Sequence, residues 1–150
     1  MNLEIKKLDH GDIIQFTDII KLFEKVFEMK NFVLPAKDYL ETVLAKPGFY
    51  VFVAMLENKV IGGLTAYVLD QYYSEKPLAY IYDLAVLQQF QRKSVWKKLI
   101  AEFNAYSTNN GFEEVFVQAD KVDDYALDFY RSTKPAAEGD VVHFYYTLHE

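Results

Sequence analysis

The sequence predicts a single α/β domain (α+β in its segment order) with a mixed central sheet flanked by helices on both faces. The length of 150 residues suits one domain, and 51% apolar residues are enough for a sizeable core. Strand-like and helix-like apolar patterns alternate along the chain. Two strands joined by a tight turn precede strand–helix–strand connections, so antiparallel and parallel pairing are both expected, in a sheet of about six to seven strands.

The N-terminal half is predicted to supply a strand, two helices and a hairpin. Asn2–Leu8 alternates apolar and polar residues, as a strand does. Ile13–Met29 and Ala36–Ala45 carry apolar residues at helical spacing. Phe49–Leu56 and Val60–Leu69 are apolar runs separated by a short polar turn, which predicts a β-hairpin.

Two glycines interrupt the second hairpin strand. Gly62 and Gly63 are adjacent within an otherwise apolar run. Glycine inside a strand marks a bulge or a place where another backbone approaches closely, so we expect one of these here.

The C-terminal half is organised around a strand, a polar corner and a helix. Tyr80–Val86 predicts a buried strand, and a helix is expected to begin near Ser94. This layout directs a helix N-terminus, with its free N–H groups, at the carboxyl end of a strand, where it can hold a phosphate. A strand over Glu113–Ala119, a helix over Asp123–Ser132 and a final strand over Val141–Leu148 complete the prediction.

Composition excludes several classes of protein. The net charge of −6 argues against a nucleic-acid-binding surface, and the absence of cysteine excludes disulfides and thiolate chemistry. His10, His143 and His149 show no metal-ligand spacing, so no metal site is predicted. The first residues lack the apolar segment of a signal peptide, and no apolar run approaches membrane-spanning length. A cytoplasmic protein without membrane or nucleic-acid partners is expected.

Short sequence motifs between Tyr80 and Phe144 match those of a known family. They are Tyr80-Ile81-Tyr82-Asp83-Leu84-Ala85-Val86, Gln91-Arg92-Lys93, Val117-Gln118-Ala119-Asp120, Asp123-Asp124 and His143-Phe144. On these residues the chain resembles the GNAT superfamily of N-acetyltransferases, and most nearly the aminoglycoside 3-N-acetyltransferase type. The family's corner motif is Gln/Arg-x-x-Gly-x-Gly/Ala, whereas these positions here run from Gln91 to Trp96 with Ser94 and Trp96 at the two small-residue positions. The loop that would hold the CoA pyrophosphate is therefore degenerate.

The resemblance implies a GNAT fold and transfer of an acetyl group from acetyl-CoA to a primary amine. The acceptor would be a small, cationic, aminoglycoside-like molecule, and transfer would be direct, in a ternary complex. The implied CoA-binding residues lie in two places. The strand residues Leu84, Ala85 and Val86 would bind the pantetheine arm. The corner would bind the pyrophosphate through Gln91, Arg92, Lys93, Ser94, Val95 and Trp96. Trp96 would crowd the pyrophosphate, or else pack into the core as an ordinary helix residue.

Carboxylates and one tyrosine are the catalytic and acceptor-binding candidates. Asp83 lies in an otherwise apolar strand and would be the general base, the alternative being a structural hydrogen bond. Tyr130 resembles the family tyrosine that protonates the leaving thiolate, although core packing is an equal alternative. Asp120, Asp123 and Asp124 would bind the acceptor, or else serve in a turn and a helix N-cap.

One other function of a different class fits the departures at Ser94 and Trp96. A GNAT-fold protein with weakened or lost CoA binding would act as a non-catalytic small-molecule binding or sensing module. The sequence also leaves open the acyl donor and the oligomeric state, with a homodimer among the alternatives.

Overall fold

The computed structural model describes residues 2–149, except for the side chains of Arg92 and Lys93. By chain contacts it divides into two compact units, Met1–Gln118 and Ala119–Glu150. The elements, in chain order, are β1 (Leu3–Lys7), α1 (Ile13–Val26), α2 (Lys37–Leu44), β2 (Phe49–Leu56), β3 (Lys59–Leu69), β4 (Leu78–Val86), a 3₁₀ turn (Gln88–Lys93), α3 (Val95–Asn109), β5 (Glu114–Val117) and α4 (Asp124–Ser132). The sequence expectation of a single domain over 1–150 stays a prediction.

The first unit is a mixed five-stranded sheet in the order β1-β2-β3-β4-β5. The first four strands pair antiparallel, and β5 joins β4 in parallel. Glu57 and Asn58, with φ of +50° and +65°, make the two-residue turn between β2 and β3. Both residues of such a hairpin turn need positive φ, so its geometry follows from the turn type. The predicted hairpin is confirmed.

Helices cover both faces of this sheet because β2 alternates its side chains. Val51 and Val53 are buried in the core formed with α1 and α2. On the opposite face, the Phe52 ring meets Phe103 and Tyr106 of α3 edge-on, at centroid distances of 5.3 and 5.6 Å. Successive residues of a strand point to opposite faces, so one apolar run serves both layers. The predicted helices on both faces are confirmed.

The two glycines of β3 are sites of close approach. A Cβ atom on Gly63 would lie 2.7 Å from the Phe52 carbonyl oxygen and 2.8 Å from Ile19 Cδ1. A Cβ atom on Gly62 would lie 2.9 Å from Val86 Cγ2 and 3.0 Å from the Ala85 carbonyl oxygen. The β2–β3 register also shifts beside this pair, between Ala54 and Met55. The structure has a close approach and a register shift here, so the expectation of one or the other is confirmed.

The prediction of six to seven strands was wrong, because the residues that the structure describes form five. The missing element is the final strand expected over Val141–Leu148, where the described residues have no regular secondary structure. A strand needs a pairing partner and a covered apolar face. The described part of the unit Ala119–Glu150 contains no strand that could pair with this segment, and its helix α4 has no buried residue.

Helix α1 is shorter than its apolar pattern predicts. It ends at Val26 rather than Met29, because Glu28 adopts a left-handed φ of +52°. Its buried residues are Phe16, Ile19, Leu22 and Phe23, whereas Phe27 is 42% exposed. The sequence predicts an apolar face of Ile13, Phe16, Ile20, Phe23 and Phe27. This face is right from Ile13 to Phe23, where its residues are buried or partly buried, and wrong at Phe27.

Candidate active site

The sheet opens between β4 and β5. Parallel pairing joins Leu78–Ile81 to Glu114–Val117 and then stops. From Tyr82 to Val86, β3 is the strand that pairs with β4 among the described residues. A strand that loses a neighbour keeps unpaired N–H and C=O groups on that side, and these groups require hydrogen-bond partners. The side of β4 that the family resemblance assigns to CoA is thus open.

A bulge in β4 coincides with this opening. Asp83 pairs with Thr65 and Ile81 pairs with Ala66, so Tyr82 is an extra residue between them. The Thr65 hydroxyl oxygen accepts a hydrogen bond from the Asp83 N–H at 3.3 Å. Bulges bend a strand and redirect its side chains. This bulge sets the direction of β4 as it separates from β5.

Asp83 lies on the wall of an apolar pocket of about 200 Å³. The pocket is lined by α1, by the segment that follows it, by α2 and by strands β2 to β4; its residues are Phe16, Ile20, Phe23, Met29, Phe32, Val43, Phe49, Thr65, Tyr67, Tyr82 and Asp83. Burial in these surroundings raises the pKa of the Asp83 carboxyl above its ordinary value. Among the described side chains, none hydrogen-bonds or ion-pairs with this carboxylate.

This environment separates the two roles considered for Asp83. The structural alternative requires the carboxylate to hold a neighbouring strand end, but only its backbone N–H bonds across the sheet. A half-buried carboxylate without a described partner costs free energy, and such groups with perturbed pKa values cluster at functional sites. The role of Asp83 as a general base stays a prediction.

The corner between β4 and α3 has the predicted layout. After Val86 the chain makes the 3₁₀ turn Gln88–Lys93, and α3 begins at Val95. Gln91 Nε2 donates a hydrogen bond to the Val86 carbonyl oxygen at 3.2 Å, which fastens the turn to the strand end. The strand is interior to the sheet and the helix follows its carboxyl end, so this architectural prediction is confirmed.

Ser94 has a left-handed backbone with φ of +62° and ψ of +20°. Its side chain does not cap α3, although its carbonyl oxygen accepts the N–H of Lys98 at 3.2 Å. The family has glycine here, and left-handed φ is what glycine adopts without strain. The backbone conformation that a glycine would favour is thus present without the glycine.

Trp96 lies in the first turn of α3 and is partly buried. Its indole nitrogen is shielded from solvent, and the preceding Val95 is fully buried. A shielded indole nitrogen is compatible with the packing alternative, and crowding of the pyrophosphate by the ring stays a prediction. The side chains of Arg92 and Lys93, predicted to bind phosphate, lie outside the described part.

The remaining predicted residues belong to the unit Ala119–Glu150. Asp123 is the N-cap of α4, its carboxylate accepting the Ala126 N–H at 3.1 Å, and Asp124 is the first helical residue. The Asp120 carboxylate accepts the Val122 N–H at 3.2 Å in the turn before the helix. These contacts confirm the turn and N-cap alternative for Asp120 and Asp123, and acceptor binding by the three carboxylates stays a prediction.

Tyr130 lies on α4 with its ring edge-on to Phe129 at 5.1 Å. The family's tyrosine motif is Leu-Tyr-x-x-x-Gly, and Lys134, which stands at the glycine position here, has a φ of +59°. Ser94 and Lys134, at two of the family's glycine positions, therefore both have left-handed backbones in this chain. The acid role of Tyr130 stays a prediction.

Sequence analysis missed Tyr67, Thr65 and the special position of Tyr82. Burial first, and then the proximity of Tyr82 and Asp83, raise the pKa of the Tyr67 hydroxyl. The sequence offers one signal, the tyrosines Tyr80 and Tyr82 beside the proposed base Asp83, but no feature of the pattern marks a bulge at Tyr82.

No metal-binding group of three or more His, Cys, Asp or Glu occurs in the described residues. Within the same residues, every helix is too short or too polar to cross a membrane.

Comparison with protein-family models matches residues 16–133 to the acetyltransferase (GNAT) family. Comparison with curated protein sequences gives no match. Among solved structures, an aminoglycoside acetyltransferase, meta-AAC0020 from an uncultured soil metagenomic sample, is similar in two complexes. With trehalose it has 65% identity and with sisomicin 64%; in both the TM-score is 0.97, and 98% of this chain and 97% of that chain are covered.

More distant structures resemble the chain as well. The aminoglycoside acetyltransferase HMB0005, also from an uncultured soil metagenomic sample, has 26% identity and a TM-score of 0.91, covering 99% of this chain and all (100%) of that one. AAC(6')-Iy in complex with the bisubstrate analog CoA-S-monomethyl-acetylneamine has 19% identity and a TM-score of 0.81, with 98% and 99% covered. At that identity the likeness concerns the fold alone.

Proposed function

The chain belongs to the acetyltransferase (GNAT) family, and from that premise we propose that it transfers an acetyl group from acetyl-CoA to a primary amine of an aminoglycoside-like acceptor, by direct transfer in a ternary complex. The observation that carries the proposal is the Asp83 carboxylate, half-buried and without a described partner, on the wall of a pocket where β4 parts from β5.

The chain's own residues fit the co-substrate that this family uses. Acetyl-CoA supplies an activated acyl group as a thioester. The open side of β4 beyond Ile81, at Leu84, Ala85 and Val86, offers backbone groups that pair with an extended amide chain as a strand would, apart from the Val86 carbonyl oxygen, which accepts from Gln91. The corner residues Gln91 to Trp96 would hold the pyrophosphate, because free N–H groups of a helix start favour anions.

Asp83 would remove the proton from the acceptor. An ammonium group cannot attack a carbonyl carbon until it loses a proton, and the raised pKa of Asp83 makes it a stronger base than an exposed aspartate. Tyr130 would return a proton to the leaving thiolate. Asp120, Asp123 and Asp124 would attract a cationic acceptor, for which Asp123 would have to use the carboxylate that also caps α4.

An aminoglycoside acceptor is supported by similarity and charge. The chain shares 65% and 64% identity with an aminoglycoside acetyltransferase solved with trehalose and with sisomicin. Its net charge of −6 suits a polycationic acceptor. Which amine is acetylated, the 3-amine included, follows from the position of the new acetyl group in the product's NMR spectrum.

The proposal is tested by incubating the protein with acetyl-CoA and sisomicin, and following thiol release together with product mass. We expect a mass gain of one acetyl group for the parent, and loss of activity for Asp83→Asn. Asp9→Asn is the matched control, because it makes the same change at an exposed carboxylate after β1. Tight sisomicin binding without acetylation would contradict the proposal and favour the non-catalytic binding module.

Acceptor recognition by Asp120 has its own test. Asp120→Asn should raise the KM for a cationic amine more than the KM for a neutral one, since only the former gains from a carboxylate. Steady-state kinetics with both acceptors measure this difference. Equal changes in the two KM values would remove the electrostatic role.

We also propose that the protein is a homodimer. The segment 141–148 carries six apolar side chains that are 64–86% exposed: Val141, Val142, Phe144, Tyr145, Tyr146 and Leu148. β5 ends the sheet order, so it has one neighbouring strand in the described residues. An edge strand can accept a further strand and exposed apolar side chains gain from burial, and contact with a second copy can supply each. Light scattering should give twice the chain mass, and Phe144→Ser with Tyr146→Ser should give a monomer; a monomeric parent would contradict the proposal.

A further inference from the structure

Tyr82 and Asp83 are consecutive residues on the wall of one pocket. In a regular strand, neighbouring side chains point to opposite faces. The extra residue in β4 breaks that alternation, because Tyr82 lies between the pairs Ile81–Ala66 and Asp83–Thr65. The bulge thus sets an aromatic ring beside the proposed base.

Neighbouring rings hold Tyr82 in place. Tyr67 of β3 meets it at 5.6 Å with an interplanar angle of 89°, and Tyr80 of β4 meets it at 5.9 Å and 84°. Tyr80 is in turn stacked on Phe116 of β5 at 4.8 Å. Edge-to-face contacts of this kind are favourable for aromatic pairs. The Tyr82 ring is therefore held by Tyr67 and Tyr80, and Phe116 supports Tyr80 from β5.

The same ring remains 59% exposed. A tyrosine face attracts a cation within about 6 Å of its centre. The cation–π contacts of the described side chains are those of Lys7 with Tyr50 and Tyr106, on the α3 side of the sheet. No described lysine or arginine side chain occupies the face of Tyr82. A fixed, accessible ring next to a carboxylate is suited to a ligand that carries an ammonium group.

We propose that Tyr82 is a specificity-determining residue whose ring binds an ammonium group of the acceptor beside the Asp83 carboxylate. This inference rests on the proposed function and deepens it, by naming the contact that selects protonated amino sugars. Tyr67 and Tyr80 are positioning residues, because they contact the Tyr82 ring and hold its orientation.

Steady-state kinetics and calorimetry with sisomicin test the proposal on the full chain. Tyr82→Leu removes the ring and keeps an apolar side chain, whereas Tyr82→Phe keeps the ring and removes the hydroxyl. We expect Tyr82→Leu to raise the sisomicin KM and Kd by roughly 3- to 30-fold, with kcat and the KM for acetyl-CoA little changed. Tyr82→Phe should stay within about twofold of the parent, because a phenyl face also binds cations. Tyr72→Leu is the matched control, at an 87% exposed tyrosine outside the pocket wall.

The outcomes separate this inference from the proposed function. An active parent with an unchanged KM in Tyr82→Leu would overturn the inference alone. An equal loss in Tyr82→Phe and Tyr82→Leu would also overturn it, since the hydroxyl and not the ring would then bind the acceptor. A parent that binds sisomicin without acetylating it would overturn the proposed function, and the calorimetric Kd of the Leu variant would still decide the role of Tyr82.

Discussion

Gly62→Ala should weaken both the fold and acetyl-CoA binding. The new Cβ would lie 2.9 Å from Val86 Cγ2, 3.0 Å from the Ala85 carbonyl oxygen and 3.2 Å from Val86 Cα. Ordinary contacts begin near 3.4 Å. β4 must therefore move outward by a few tenths of an ångström at the residues proposed to pair with the pantetheine arm.

The magnitude follows from two opposing effects. Overpacking costs about 1–3 kcal/mol, and replacing glycine by alanine returns about 0.4–1 kcal/mol through the unfolded chain. The net loss is between about 0 and 2.6 kcal/mol, and its midpoint of about 1.3 kcal/mol lowers the melting temperature by about 3–5 °C for a chain of this size. Misplacing one hydrogen bond to the co-substrate costs about 1 kcal/mol, so the Kd for acetyl-CoA should rise roughly fivefold.

Gly63→Ala is the matched control for this prediction. Its Cβ would meet the Phe52 carbonyl oxygen of β2 and Ile19 of α1, and neither belongs to β4. Thermal unfolding should show a similar loss of stability, while calorimetry shows an unchanged Kd for acetyl-CoA. If Gly62→Ala bound acetyl-CoA as tightly as Gly63→Ala does, the proposed pairing of the co-substrate with β4 would be wrong.

Three further variants test the corner and the base. Ser94→Gly should stabilise the protein by about 1 kcal/mol in chemical unfolding, because a left-handed φ of +62° costs serine about 1–2 kcal/mol that glycine largely avoids; a loss of stability would contradict this. If the indole crowds the pyrophosphate, Trp96→Gly should strengthen acetyl-CoA binding in calorimetry. The variant should lose roughly 3–5 kcal/mol of stability, as comparable truncations do. A folded variant with the parent's Kd would show that the indole does not obstruct acetyl-CoA binding. Asp83→Asn should leave stability unchanged below the ordinary pKa of 3.8. As pH rises through the raised pKa of the native state, the parent loses stability relative to the variant, because it alone must ionise a buried carboxyl. Equal unfolding free energies at pH 7 would refute a cost of burial.

Local patterns predicted the parts of the fold that are decided locally. The β2–β3 hairpin follows from two apolar runs and a polar turn, and β2 has its predicted bounds, Phe49–Leu56. The strand, corner and helix from β4 to α3 follow from a change of apolar spacing, from continuous to helical. Gly62 and Gly63 indicate a bulge or a close backbone approach from the sequence alone, because glycine inside an apolar strand has few other physical reasons.

The errors arise where tertiary context decides. The segment 141–148 has the composition of a strand, but a strand forms only with a neighbour, and composition does not reveal one. The bulge at Tyr82 is equally invisible, because Tyr80 to Val86 has an uninterrupted apolar and aromatic pattern apart from Asp83. The left-handed backbones of Ser94 and Lys134 were foreseeable only from the family's glycines, since neither residue type favours positive φ.

The dependence of kcat on pH tests most directly whether Asp83 is the general base for acetyl transfer. With sisomicin and saturating acetyl-CoA, the parent's kcat should fall on the acid side with a midpoint above 3.8, since burial raises the pKa of the Asp83 carboxyl. Asp83→Asn should lower kcat by about 100-fold or more and abolish that acid limb, while Asp9→Asn keeps both the rate and the limb. An Asp83→Asn enzyme with the parent's rate and the same acid limb would contradict the account.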